Sequence, residues 1–151
     1  MSKKNILVVE EEAIVSKDIQ QSLKKLGYNI VGASATGEKA IELANEHKPD
    51  LVLMDIMLKG DMSGIDTAEK INIPVIYLTA YADENTLSKA KVTEPYGYII
   101  KPFKEIDLHT SIEMALYKHS KEREIIKERD FLYALVEGKE DEGVIFVKSN
   151  S

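Results

Sequence analysis

Short runs of aliphatic residues recur along the chain, and amphipathic stretches separate them. Five runs have this character, at residues 6–9, 30–33, 51–54, 75–78 and 97–100. The first, third and fourth runs contain no alternating polar residues, which is typical of strands covered on both faces of a parallel sheet. The pattern therefore predicts five buried strands with helices between them.

The stretches between the runs have apolar residues at three- and four-residue steps, as amphipathic helices do. In the first stretch the stripe consists of Ala13, Ile14, Ile19, Leu23 and Leu26. It ends at Gly27, a residue suited to a helix C-terminus. Further helices are predicted over residues 38–47, 65–71 and 83–92, and a fifth, longer one starts at Glu105. The strict alternation predicts a doubly wound α/β fold, a (βα)5 sandwich around a five-stranded parallel sheet.

The helical pattern continues beyond the sandwich, but its apolar residues narrow to one face. That face contains Ile125, Ile126, Leu132 and Leu135, whose spacing indicates a signalling helix or a short coiled coil. We therefore predict three segments: a domain at 1–118, a C-terminal helical extension at 119–137, and a loop at 138–151. Residues 144–147 could form a lone strand, so the last segment could also be the start of a following domain.

Composition and charge narrow the class of protein. With 44% hydrophobic and 30% charged residues, the chain has the composition of a globular protein. The net charge of −6 repels nucleic-acid phosphates and argues against a nucleic-acid partner. The absence of cysteine excludes disulfides and thiolate sites. Because the N-terminal apolar run is too short for a signal peptide or a membrane span, we predict a cytoplasmic protein without a membrane contact.

Polar residues with reactive side chains follow four of the predicted strands. In doubly wound sheets, sites form beyond the carboxyl ends of the strands, and here those ends carry Glu10, Glu11, Asp55, Thr79 and Lys101. This set suits phosphoryl transfer, in which a carboxylate attacks phosphorus while a divalent cation and an ammonium neutralise the oxygens. Asp55 would be the nucleophile, and Mg²⁺ would take carboxylate ligands such as Glu10 and Glu11.

Four segments at these strand ends are similar to the receiver domains of response regulators in two-component signalling. They are residues 6–12 (ILVVEEE), 49–55 (PDLVLMD), 78–80 (LTA) and 98–103 (YIIKPF), and the resemblance covers about residues 5–118. Each segment alone is weak, but all four in order make a specific signature. The resemblance to this chemotaxis-regulator-like family implies a flavodoxin-like fold.

The resemblance also implies roles for individual residues. Asp55 would be the phosphoacceptor, Thr79 a switch hydroxyl, Tyr98 a rotating aromatic switch and Lys101 a charge sensor. A cis peptide bond would join Lys101 to Pro102. The backbone carbonyl of Met57 would join Glu10, Glu11 and Asp55 as a ligand of Mg²⁺.

The partners that the resemblance implies are those of a signalling domain rather than of an enzyme. A histidine kinase would supply the phosphoryl group, and the chain could itself be part of a hybrid sensor histidine kinase. A homodimer could form through the fourth helix, fifth strand and fifth helix, or through the C-terminal helix.

Two features depart from the family pattern. Most receivers have aspartate where this chain has Glu11. The extra methylene moves the carboxylate by roughly an ångström, and Mg²⁺ tolerates little displacement of its ligands. The third predicted helix is also short, since it leads almost directly into the run at 75–78.

Other functions remain open at this point. A degenerate receiver would signal by binding a partner without phosphorylation, and Glu11 favours that alternative. A phosphatase with an aspartate nucleophile is disfavoured, because Met57 occupies the position at which such enzymes need a general acid. Asp55 could also simply end a buried strand and accept hydrogen bonds from backbone amides.

Overall fold

The computed structural model describes residues 3–58, 60–80 and 84–138. Strands and helices alternate in the predicted order: β1 (Asn5–Val9), α1 (Ala13–Lys25), β2 (Asn29–Ser34), α2 (Gly37–His47), β3 (Leu51–Asp55), α3 (Gly64–Glu69), β4 (Val75–Thr79), α4 (Glu84–Lys91), β5 (Gly97–Ile100) and α5 (Glu105–Gly138). The start of the fourth predicted helix, Asp83, lies outside the described residues.

The five strands form one parallel sheet in the order β2-β1-β3-β4-β5. The chain moves outward from β1 to β2, then returns to β3 on the other side of β1, so the strand order reverses between β1 and β3. Ligand sites of doubly wound sheets form at this reversal. The predicted doubly wound sandwich is confirmed.

The sheet separates two apolar clusters, one on each face. Along β1, Ile6 and Val8 enter the cluster that α1 and α5 cover, whereas Leu7 and Val9 enter the cluster that α2, α3 and α4 cover. All four side chains are fully buried. Burial on both faces is the reason that β1, β3 and β4 lack polar alternation. The prediction of five buried strands is wrong for the outer strands β2 and β5, in which only Ser34 and Ile99 are buried, because an edge strand is covered less completely.

One part of the predicted stripe on α1 is wrong. The residues of α1 that are buried are Ser16, Ile19 and Leu23, while Ile14 is 84% exposed and Ala13 is also exposed. At 100° per residue, Ile14 points about 140° away from Ile19, so both cannot face the same core. The predicted end of the helix is confirmed, since Gly27 has φ +95° and its N–H donates to the carbonyl of Lys24 at 3.1 Å.

The chain divides into two units, which meet between Leu116 and Tyr117 within α5. In the first unit, α5 buries Leu108, Ile112 and Ala115 in the sandwich. In the second unit the large apolar side chains are exposed, with Ile125 at 65% and Phe131 at 62%. The predicted domain boundary at residue 118 stays a prediction.

The predicted C-terminal segment is only partly described. Gly138 is the last residue of α5, and the loop and strand expected over residues 139–151 lie outside the described residues. Within the described ranges, no helix combines the length and apolar character that crossing a membrane requires.

Two helices are followed by non-glycine residues whose backbone lies in the left-handed region, where glycine is the usual choice. Lys48 follows α2 with φ +46°, and Glu94 follows α4 with φ +53°. Each N–H still donates to a carbonyl of its helix, that of Ala44 or Lys91, at 2.9 Å. The left-handed conformation costs an ordinary residue about 1–2 kcal/mol, so both connections carry strain.

Helix α3 begins unusually close to β3. The N–H of Gly64 donates to the carbonyl of Ile56 at 2.9 Å, and Ser63 and Asp66 form a reciprocal capping box around the start of the helix. A Cβ atom on Gly64 would overlap the carbonyl oxygen of Asp55 and lie 2.9 Å from Cα of Ile56. The approach of α3 to β3 therefore requires a residue without a side chain.

We predict that Gly64→Ala lowers the free energy of unfolding by about 2–3 kcal/mol, because the overlap involves backbone atoms that cannot rotate away. Urea denaturation measures the change. Gly97→Ala is the matched control, since its Cβ would meet no atom within 4 Å and its φ is not in the left-handed region. Equal stability of the two variants would contradict the prediction.

Candidate functional site

Asp55 ends β3 at the edge of the sheet where the reversal of strand order lies. It is 6% exposed, and its Oδ1 accepts a hydrogen bond from the backbone N–H of Met57 at 3.0 Å. The pairing of β3 with β4 continues one residue beyond Asp55, because the N–H of Ile56 donates to the carbonyl of Leu78 at 3.1 Å. The carboxylate is thus held at a defined position by the backbone around it.

Lys101 follows β5 and brings an ammonium group to this carboxylate. Its backbone N–H donates to the carbonyl of Thr79 at 2.8 Å, and its bond to Pro102 is cis, as the family resemblance implied. The Nζ atom lies 3.3 Å from Oδ2 of Asp55 and only 2.6 Å from Oε1 of Glu10. The structure therefore brings these three predicted site residues, Glu10, Asp55 and Lys101, into one cluster.

Glu10 is the most buried member of the cluster. It is 2% exposed, its N–H donates to the carbonyl of Ser34, and its Oε2 accepts from the N–H of Glu12 at 3.1 Å. Glu12 itself is the N-cap of α1.

The electrostatics follow from two carboxylates sharing one ammonium. Burial, and then the adjacent Glu10, raise the pKa of Asp55 from 3.8 to about 6. For Lys101, burial alone lowers the pKa, but the hydrogen bond to Glu10 and the charge of Asp55 outweigh it and raise the pKa above its ordinary value. The cluster carries an excess negative charge in its ionised form.

The two predicted switch residues lie on the neighbouring strands β4 and β5. Thr79 ends β4 and is 1% exposed. Tyr98 on β5 is in register with Tyr77 on β4, with ring centroids 6.0 Å apart. The Tyr98 hydroxyl is buried and makes no hydrogen bond within the described part of the chain. The switching roles of Thr79 and Tyr98 stay predictions.

The donor set at this edge suits Mg²⁺, which prefers oxygen ligands and carboxylates. Glu10 and Asp55 supply buried carboxylates. Glu11 adds a half-buried carboxylate whose Oε2 atom is buried. The side chain of Met57 is 63% exposed. Over residues 3–58, 60–80 and 84–138, no three acidic or histidine side chains are already grouped as metal ligands. The predicted ligands Glu10, Glu11, Asp55 and the Met57 carbonyl therefore stay predictions.

The family model of the response regulator receiver domain matches residues 6–113. This chain belongs to that family. Receiver domains are parts of two-component systems, in which they interact with histidine kinases, and they generally bind Mg²⁺ at the phosphorylation site. The relatives are regulators rather than conventional enzymes.

Curated relatives include two bacterial regulators. The receiver is 37% identical over 117 residues to the transcriptional regulatory protein PdtaR of Mycobacterium tuberculosis, an alignment that covers 75% of this chain and 57% of the relative. It is 32% identical over 117 residues to the phyllosphere-induced regulator PhyR of Methylorubrum extorquens, covering 74% of this chain and 43% of that protein. The chain thus spans about half the length of these relatives.

Solved structures show the same fold. The signal receiver domain of a modulated diguanylate cyclase from Desulfovibrio desulfuricans is 36% identical with a TM-score of 0.77, over 80% of this chain and 99% of that one. A CheY-like receiver domain from Methanospirillum hungatei is 28% identical with a TM-score of 0.74, over 80% and 99%. This chain aligns with nearly the full length of each of these solved chains.

Two features of the receiver site were not predicted from the sequence. One is the short ion pair between Glu10 and Lys101, since the glutamate was considered only as a metal ligand. No sequence signal indicates a pair separated by 91 positions. The other is Gly64, which lets α3 begin against Asp55. The spacing of Ser63 and Asp66 is the sequence signal of a capping box and could have located this start.

We predict that Asp55→Asn stabilises the metal-free receiver at pH 7.5 by on the order of 1–2 kcal/mol. Because the folded pKa of about 6 exceeds the ordinary 3.8, the folded state binds the proton more tightly. Protonation of Asp55 therefore stabilises the folded state at low pH, and this stabilisation is lost as the pH rises from 3.8 through about 6. Urea unfolding in EDTA should therefore show a gain at pH 7.5 that disappears near pH 4. A gain that is the same at both pH values would contradict the assignment.

Proposed function

We propose that this receiver domain accepts a phosphoryl group on Asp55 from a histidine kinase and thereby changes its partner-binding surface. The single observation that carries the proposal is the cluster at the sheet edge. There a buried carboxylate lies 3.3 Å from the ammonium of Lys101 and adjacent to a second carboxylate, Glu10.

In the proposed reaction, Oδ2 of Asp55 attacks the phosphorus of a phosphohistidine in line. A P–O bond forms, the P–N bond breaks, and the imidazole leaves with the electron pair. Met57 orients the carboxylate through the hydrogen bond to Oδ1. Lys101 supplies positive charge to the phosphoryl oxygens, for which its ammonium must turn from Glu10 toward Asp55.

The residues proposed to hold Mg²⁺ are Glu10, Glu11 and Asp55, together with the backbone carbonyl of Met57. When bound, the cation supplies positive charge to the phosphoryl oxygens and offsets the excess negative charge of the cluster. The nucleophile, its orientation and the ammonium charge come from Asp55, the backbone N–H of Met57 and Lys101.

The proposed output is a change in the surface formed by α4, β5 and α5, transmitted through Thr79 and Tyr98. Exposed apolar side chains on or beside these elements support a protein contact there, since Val92 is 79% exposed, Ile106 61% and Met114 68%. A homodimer through this surface, or through the C-terminal helix, is part of the same proposal.

The direct test is incubation with a small phosphodonor and Mg²⁺, followed by intact mass. We expect one phosphoryl group on the wild type and none on Asp55→Asn, because the substitution removes the carboxylate that we propose as the nucleophile. Asp18→Asn removes an exposed aspartate of α1 and should be phosphorylated like the wild type. A wild type that gains no mass would overturn the proposal.

A second candidate is a degenerate receiver that binds partners without phosphorylation. The observation that favours it is the distance of 2.6 Å between Lys101 and Glu10, shorter than the 3.3 Å to Asp55. An ammonium engaged by Glu10 is less available to a phosphoryl group, and Glu11 adds a longer carboxylate where aspartate is usual.

Mg²⁺ affinity separates the two candidates. If the longer side chain of Glu11 displaces a ligand, Glu11→Asp should tighten Mg²⁺ binding by about tenfold, in line with the strict geometry of this cation. Calorimetric titration measures the dissociation constant. Glu12→Asp, at an exposed neighbour, is the control and should leave it unchanged. Equal affinity of wild type and Glu11→Asp would favour the phosphoacceptor.

A further inference from the structure

Tyr77 is a fully buried residue of β4 with a polar group directed at the end of α4. Its hydroxyl lies 2.7 Å from Oγ1 of Thr93, which follows α4 by two residues. A buried tyrosine hydroxyl usually has a hydrogen-bond partner, and here that partner follows α4, an element of the proposed output surface.

The direction of this hydrogen bond can be assigned. Oγ1 of Thr93 donates to the carbonyl of Ala90 at 2.6 Å, and a threonine hydroxyl has only one proton. Tyr77 must therefore donate to Thr93. The resulting chain runs from Tyr77 through Thr93 to a carbonyl in the last turn of α4, where helices leave acceptors unsatisfied.

Tyr98 packs against the same group of residues. It contacts the cluster that contains Tyr77 and the fully buried Ala90. Its own hydroxyl is buried and has no hydrogen-bond partner in the described ranges, which is costly. Together with Ile100 of β5 and Asp107 of α5, Tyr98 lines an open cleft of about 380 Å³. A buried hydroxyl without a partner and an adjacent cleft therefore occur at the same residue.

We propose that the hydrogen bond from Tyr77 to Thr93 holds the C-terminal end of α4 against β4 and opposes the rearrangement that phosphorylation drives. The inference rests on the proposed function and makes Tyr77 a positioning residue. Displacing the end of α4 from β4 breaks this bond and leaves the Tyr77 hydroxyl buried without a partner. The bond therefore weakens binding of any ligand that requires the displacement.

The test compares the affinity of Tyr77→Phe and wild type for beryllofluoride with Mg²⁺, a stable analogue of the phosphoryl group. We expect Tyr77→Phe to bind the analogue about fivefold more tightly, because the net contribution of one hydrogen bond corresponds to a factor of this size in affinity. The variant should also have a lower unfolding midpoint. Thr93→Val removes the acceptor of the same hydrogen bond with little change in side-chain shape. It should tighten the binding of the analogue to a similar extent. The double variant should bind no more tightly than either single variant.

Tyr28→Phe is the matched control. Tyr28 is also buried, and its hydroxyl donates to Glu113 at 2.5 Å on the opposite face of the sheet. Tyr28→Phe should lower the stability of the fold without tightening the binding of beryllofluoride. The comparison separates a general loss of stability from the loss of the specific hydrogen bond between Tyr77 and Thr93. Unchanged or weaker binding by Tyr77→Phe overturns the inference. A wild type that does not bind the analogue overturns the proposed function, and with it this inference.

Discussion

One ammonium group between two buried carboxylates determines the character of the sheet edge. Buried charges are tolerated only when they are paired, and Lys101 is the cation that pairs with both Glu10 and Asp55. Burial raises the pKa of Asp55, and the adjacent Glu10 raises it further because one positive charge cannot neutralise two negative ones. The same imbalance would favour a divalent cation, which would connect the stability of the resting fold with the proposed chemistry.

This arrangement depends on the order of the strands. Lys101 follows the edge strand β5, whereas Asp55 ends β3 and Glu10 follows β1. Neighbouring strands are about 4.8 Å apart, so the ammonium has to reach over β4. The hydrogen bond from the Lys101 N–H to the carbonyl of Thr79 continues the pairing of β5 with β4 past the end of the strand. The long lysine side chain covers the remaining distance to both carboxylates.

Periodicity and topology predicted the fold and the edge at which the site lies. The five aliphatic runs place every strand within one residue. For β1, β3 and β4 the reason is that a strand buried on both faces leaves little freedom for polar substitution. The exposure of Ile14 was missed, since an apolar residue beside a stripe need not lie in it. The pairs Glu10–Lys101 and Tyr77–Thr93 were also missed. They depend on side-chain conformations across the fold, which local patterns do not encode.

The left-handed Glu94 has a consequence for motion. It directly follows Thr93, the residue that Tyr77 holds, and precedes the strand that carries Tyr98. One residue is therefore strained while its neighbour is restrained, and both effects are about 1 kcal/mol. The strain favours opening at the end of α4, and the hydrogen bond opposes it. Because both effects are small beside the free energy of global unfolding, local opening at this junction should need less free energy than unfolding of the whole domain.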